Sequence, residues 1–231
     1  KEPSNEVGWG YFFSNTADWG EPFAPVPVAD SLTSSGVKVM YSKNTRHDMI
    51  LFNWRRPLLA TKLFRQGVAY AINRTELVLS ANYPVFHAAK YVIPYSGMYV
   101  TNWLDQSFLD GLNKYNYSPD KAKQLFTQIG LEYNDKGQLC YANGSVITLY
   151  LKFPAPWTDV ALMMANLATQ LNRVGITVVP LALDWATVDT AEWSGDFDLV
   201  WYNFGNDHPF TQGFEFTNGY TLVTMADFPT V

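Results

Sequence analysis

Apolar residues recur at helical spacing in three places along this chain. Phe64, Val68, Ala71, Ile72 and Thr75 mark one face of a helix predicted over 61–80. Ala122, Leu125, Phe126 and Ile129 mark a second, which opens on Ser118 with Pro119 at its first position and stops at Gly130. Val160, Met163, Leu167, Leu171 and Val174 line a third, between a capping Thr158 and Gly175. Apolar runs at 176–183 and 197–204 read as buried strands, and Asp184 opens a short helix between them that reaches about Trp193. The turn signals Asp135-Lys136-Gly137 and Asn143-Gly144 bracket 138–153, which reads as a hairpin.

Helices and strands therefore alternate from 118 to 204. The expected fold is α/β, with helices packed on a mixed, largely parallel sheet. Upstream, 37–41 and 49–53 are expected to be short strands, and 81–113 a loop holding a short helical piece. Residues 1–35 show no sustained period, and Glu21–Val28 carries three prolines, so this stretch is expected to be an irregular lead-in. Residues 210–231 are also expected to be irregular. Nothing marks a linker, and 1–231 is read as a single α/β domain.

Composition narrows the function classes. The 231 residues are 48% hydrophobic and 16% charged, enough apolar material for a sizeable core. A net charge of -5 argues against nucleic acid and against an anionic membrane surface. No apolar run reaches the roughly 18 residues of a membrane span. No secretory leader is read at Lys1, so any such segment is expected to have been removed or to lie outside this sequence. Cys140 is the one cysteine, and His47, His87 and His208 lack zinc spacing, so no metal or cofactor is expected. Gly8-Trp9-Gly10 begins a dinucleotide fingerprint that Phe13 ends, and phosphate-loop and nucleophile-elbow motifs are missing. Asp196 and Asp198 read as turn residues before a strand rather than an acid–base pair. No catalytic residues are assigned and no enzyme is expected. The 8 Trp, 14 Tyr and 15 Phe suit a core, a peptide pocket or a surface that stacks on sugars.

Five segments, in order, carry a resemblance. They are Leu51-Phe52-Asn53 at a strand end; Arg65-Gln66-Gly67-Val68-Ala69-Tyr70-Ala71-Ile72-Asn73-Arg74; Tyr117-Ser118-Pro119-Asp120-Lys121-Ala122-Lys123-Gln124-Leu125 with Gly130-Leu131; Gln170-Leu171 to Gly175-Ile176; and Gly195-Asp196-Phe197-Asp198-Leu199. Over about 37–209 the chain resembles the C-terminal lobe of the extracellular solute-binding proteins of peptide-type ABC transporters, family 5. The resemblance implies a periplasmic-binding-protein-like lobe of class II, peptide-binder type. It also implies a first lobe of the same protein outside this sequence, with 210–231 as the start of the return toward it. By the same resemblance the chain would capture a peptide or small oligosaccharide in a cleft between two lobes. It would hand the solute to ABC permease subunits, outside the cell or in the periplasm. Membrane anchoring through a segment outside this sequence stays open. A sensor or interaction domain reusing the fold is the alternative.

The motif residues themselves read as scaffold: Gly67 and Ala71 as close-approach positions against the sheet, Arg65 and Arg74 as partners of helix-flanking carbonyls or acids. The binding positions the resemblance implies lie elsewhere. Trp185 falls where oligopeptide binders line their pocket, and Asp207 where they pair with a peptide amine. Two basic positions of those binders fall on Glu192 and Trp201, neither of which takes an anion. The expected ligand-binding set is Trp185, Trp201, Asn203, Asn206, Asp207 and His208. Strand alternation puts Trp201 and Asn203 on one face and Tyr202 and Phe204 on the other, and leaves open which face meets the ligand.

Overall fold

Two helices form where the sequence shows no period. The computed structural model describes residues 4–41, 47–83, 86–93, 100 and 102–204. Its first helix, α1 (Asn5–Phe13), begins on the Ser4 hydroxyl, which accepts from the Val7 N–H. The second, α2 (Val26–Ser34), starts at the prolines themselves. Proline's fixed φ and missing N–H are harmless in a first helical turn, so the same residues that read as a loop serve as a helix start. The irregular lead-in expected over 1–35 is thus corrected to a helical pair joined around Ala24, Ala29 and Leu32. The strand expected at 37–41 does not form; Val37 and Val39 instead pack on that small cluster.

β1 (His47–Phe52) leads into α3 (Pro57–Ala60), α4 (Lys62–Ala71) and α5 (Arg74–Ser80). The single helix expected over 61–80 is broken at Ile72-Asn73. The break is stabilised by a side chain. Gln170 accepts from the Asn73 N–H at 2.6 Å and donates to the Asn73 carbonyl at 3.2 Å, while the Asn73 amide oxygen caps α5 through the Glu76 N–H. An apolar stripe says nothing about such a clamp, because the stripe continues through it. Arg65 and Arg74 do what the sequence suggested: Arg65 donates to the Leu59 carbonyl, and Arg74 to those of Ala89, Lys114 and Tyr115.

α6 (Gln106–Gly111) and α7 (Pro119–Gln128) follow, then the short ribbon β2 (Glu132–Tyr133) and β3 (Leu139–Cys140), paired around the Asp135–Gly137 turn. The hairpin expected at 138–153 reduces to one bridge, Cys140 to Val146. Beyond it β4 (Thr148–Pro154) leaves the ribbon for the main sheet. α8 (Thr158–Arg173), β5 (Thr177–Leu183), α9 (Trp185–Ser194) and β6 (Leu199–Phe204) sit where the spacing predicts, but Thr158 is the first helical residue of α8 rather than its cap, and Trp157 holds the N-cap position without a side-chain hydrogen bond.

The main sheet runs β1-β6-β4-β5. β4 is parallel to both β5 and β6, and β1 is antiparallel to β6. Since β5 and β6 flank β4 on opposite sides, the two crossovers travel in opposite directions, and right-handed connections then place their helices on opposite faces. The buried clusters agree. Leu151, Leu199 and Trp201 join the inner residues of α4, α7 and α8 in the principal core, whereas Val200 packs with Val188 of α9 on the other face. Asn53, buried just after β1, donates to the carbonyls of Gly195 (2.9 Å) and Phe197 (2.7 Å) and so ties β1 to the turn that enters β6.

Gly67 is a close-approach position, but its neighbour is α7 rather than the sheet. A Cβ there would lie 2.3 Å from a ring carbon of Phe126, which is wholly buried against Phe64. In an open helix, Gly→Ala would stabilise by about 1 kcal/mol. Here overpacking outweighs propensity, and Gly67→Ala is expected to destabilise by roughly 1–3 kcal/mol. Guanidinium unfolding of the two proteins checks the sign; a raised midpoint for the variant would show that Phe126 moves aside freely.

Candidate functional site

Parallel strands all leave the sheet at one end, and here that end gathers aromatic rings. The segment after β4, Ala155–Trp157, is fixed to the neighbouring strand by the Ala155 N–H, which donates to the Leu183 carbonyl at 2.7 Å. Trp157 is therefore held beside Trp185, the first residue of α9. Their rings stack with centroids 5.1 Å apart and planes 15° apart. The two connections leave toward opposite faces of the sheet, so the space between them is a topological switch point, where ligands of open α/β sheets collect.

Trp185 is half-buried at this end, and Asn203, near the end of β6, is half-buried as well. Trp201 behaves differently. Its ring has no exposed surface and lies edge-on to Trp157 at 5.2 Å and 85°. The structure corrects the expectation that it meets a ligand directly: it supports Trp157 from the core. Alternation alone could not decide this, because the face carrying Trp201 and Asn203 is covered by the α4–α8 helical layer only over part of its length. Asn206, Asp207 and His208 lie outside the described residues. Trp157 is the residue the sequence reading passed over. Its signal was present, an aromatic directly after the Pro-Ala-Pro exit from an apolar run, but nothing local says that this exit adjoins Trp185.

The polar surroundings are acidic. Asp184 caps α9, accepting from the Thr187 N–H at 3.0 Å, and its hydrogen bonds with Thr187 hold its carboxyl below the usual range. Asp159, in the first turn of α8, is buried and accepts from the Asn5 side chain at 3.4 Å. The same amide donates to the Thr158 hydroxyl at 3.0 Å, which docks α1 beside the site. Both placements suit the positive ends of helix dipoles. The segments 154–160, 183–194 and 199–204 contain no lysine or arginine. Among the described residues, no cluster of three or more His, Cys, Asp and Glu could hold a metal ion, and no helix is long and apolar enough to cross a membrane.

A cavity of about 530 Å³ opens elsewhere, between β1, α4, α5 and residues 89–93. Its lining is mostly apolar, and its two arginines are engaged: Arg65 lies over the Trp54 ring and Arg74 is committed to backbone carbonyls. Its remaining charged and amide side chains among the described residues are Asp48, Lys62 and Gln66, and Gln66 donates to the Tyr115 hydroxyl. The strand-end site is therefore the better candidate.

Comparison with known proteins bears on this site. The family model for bacterial extracellular solute-binding proteins, family 5 Middle, matches residues 11–221. A protein described as an ABC transporter peptide-binding protein in Brucella ovis is 33% identical over 185 residues, covering 78% of this chain and 32% of its own length. Among solved structures, the periplasmic oligopeptide-binding protein of Thermotoga maritima with bound mannohexaose superposes with a TM-score of 0.79 at 26% identity, over 93% of this chain and 41% of that one. The oligopeptide-binding protein AppA of Bacillus subtilis, in complex with a nonapeptide, has the same fold at a TM-score of 0.73 and 20% identity, over 89% and 40%. The chain thus spans about a third of the length of the curated relatives it matches.

Glu192 gives the site's scaffold a pH dependence. It lies on the buried side of α9 with Val188 and Ala191, 7% exposed, and its Oε1 has no hydrogen-bond partner. Burial, with a smaller contribution from the Asp189 charge, pushes its pKa from 4.5 up to about 8. Below about pH 4.5 the carboxyl is neutral folded or unfolded and costs nothing. Between there and about pH 8 the unfolded chain ionises while the folded one stays protonated, so stability falls across that window, by on the order of a few kcal/mol. Glu192→Gln, uncharged throughout, is expected to gain stability over the wild type at pH 8.5 and little at pH 4.5. Denaturant midpoints at both values test this; an equal difference at the two would show that Glu192 does not titrate in the fold.

Proposed function

Since the chain belongs to the bacterial extracellular solute-binding proteins of family 5, we propose that it is one lobe of a two-lobed protein that captures a solute for an ABC importer. The solute is a peptide or a small oligosaccharide, enclosed in the cleft between this lobe and a first lobe outside the sequence. The loaded protein delivers it to permease subunits from the periplasm or cell exterior. The chain binds and releases; it makes and breaks no bonds. The observation that carries this reading is the convergence of Trp157, Trp185 and the end of β6 at the carboxyl ends of three parallel strands, where an open α/β sheet meets its ligand. The solutes in the Thermotoga and Bacillus structures, a mannohexaose and a nonapeptide, support both ligand classes. Trp185, Asn203, Asn206, Asp207 and His208 are the proposed contacts, with Trp201 acting beneath them.

A cleft protein divides its contacts between lobes and closes by a hinge. Losing one lobe removes several kcal/mol, so the 231-residue chain alone is expected to bind with a Kd of about 1 mM or weaker. Calorimetry that returned micromolar binding by this chain would refute the two-lobe division. In the full-length protein, Asp207→Ala is expected to cost roughly 2–4 kcal/mol if Asp207 pairs with a ligand ammonium. The cost falls to about 1 kcal/mol if it accepts a sugar hydroxyl. Unchanged affinity for every wild-type ligand would remove Asp207 from the site.

A further inference from the structure

Trp157 and Trp185 belong to different strand ends, yet their rings stack at 5.1 Å and within 15° of parallel. Two indoles can stack merely to fill a core, since an aromatic pair gains beyond the burial of its area. A core pair would be hidden, and both of these residues are only partly buried. Beneath them the fully buried Trp201 stands at 85° to Trp157, which fixes one ring and through it the other. The result is a flat apolar surface, held rigid from below, at the end of the sheet where loops diverge. A ligand lying on a surface already in place orders little on binding.

The polar complement points to one ligand chemistry. The three segments that carry the rings contain Asp159, Asp184, Asp189 and Glu192 and no lysine or arginine. Asn203 stands at the end of β6, with Asp48 of β1 as its cross-strand partner. A carboxylate, such as the end of a peptide, finds no cation among these segments. An uncharged polyol finds the exposed Asp184 carboxylate and the half-buried Asn203 amide for its hydroxyls and an indole face for the C–H side of its ring. We infer, resting on the solute-binding role proposed above, that Trp157 and Trp185 form one ring-binding platform and that the solute is an uncharged oligosaccharide, with one pyranose face on the exposed side of the pair.

The test uses the full-length two-lobed protein with its tryptophans labelled with nitrogen-15, so that the indole N–H signals are followed as ligand is added. Trp157→Phe and Trp185→Phe assign the two signals of interest. The probes are mannohexaose, cellohexaose and stachyose, and separately a mixture of zwitterionic tri- to pentapeptides. A sugar is expected to move the Trp157 and Trp185 signals. Trp185→Leu is expected to weaken that sugar by about tenfold, with Trp185→Tyr restoring most of the loss. Should the leucine variant fail to fold, the wild-type titration decides alone. Shifts with peptides only would overturn the saccharide assignment and leave solute binding intact. Sugar binding that leaves both signals still would overturn the platform. Binding of neither pool would overturn the solute-binding reading, and this inference with it.

Discussion

The parallel pairing of β4 with both β5 and β6 is the constraint on which the site depends. Strands that run the same way must be left at the same end, so the chain turns three times over one rim of the sheet. Because β5 and β6 lie on opposite sides of β4, the crossover helices α8 and α9 take opposite faces. The rim between them is left open by topology rather than by any local property of its residues. Trp157 and Trp185 stand on either side of that opening, and their stacking follows from where the strands end.

A set of buried amides and guanidiniums holds this framework in register. Gln170 replaces missing helical hydrogen bonds where α4 gives way to α5, and Asn53 secures the carbonyls that precede β6. Arg74 gathers three carbonyls from two separate loops. Each of these satisfies backbone groups that burial would otherwise leave at a cost of about 1–3 kcal/mol. This is why Asn53 and Arg74 stand inside the segments by which the chain resembles its family: they fasten the scaffold. Glu192 is the exception to this economy. Its unpartnered oxygen leaves a protonated acid under the helix that carries Trp185, and ties the support of the site to pH.

The sequence by itself determined the elements whose signals are local. Pro119 starts α7 just after Ser118, whose side chain makes no capping bond, and Gly130 stops it; Gly175 ends α8, and Asp184 with Gly195 bounds α9, because helix starts and left-handed stops act within a turn of their own position. Apolar runs placed β5 and β6, and the ordered motifs placed the family. Tertiary structure decided everything that depends on a distant partner. The prolines near residue 25 become a helix start because packing around Leu32 rewards the helix. The 61–80 stripe breaks because Gln170, almost a hundred residues later, reaches Asn73. β4 abandons its hairpin because two parallel neighbours offer more pairing than Cys140 does. Trp201 enters the core and Trp157 joins the rim for the same reason: strand alternation assigns a residue to a face, and only the layer packed on that face decides whether the residue is covered.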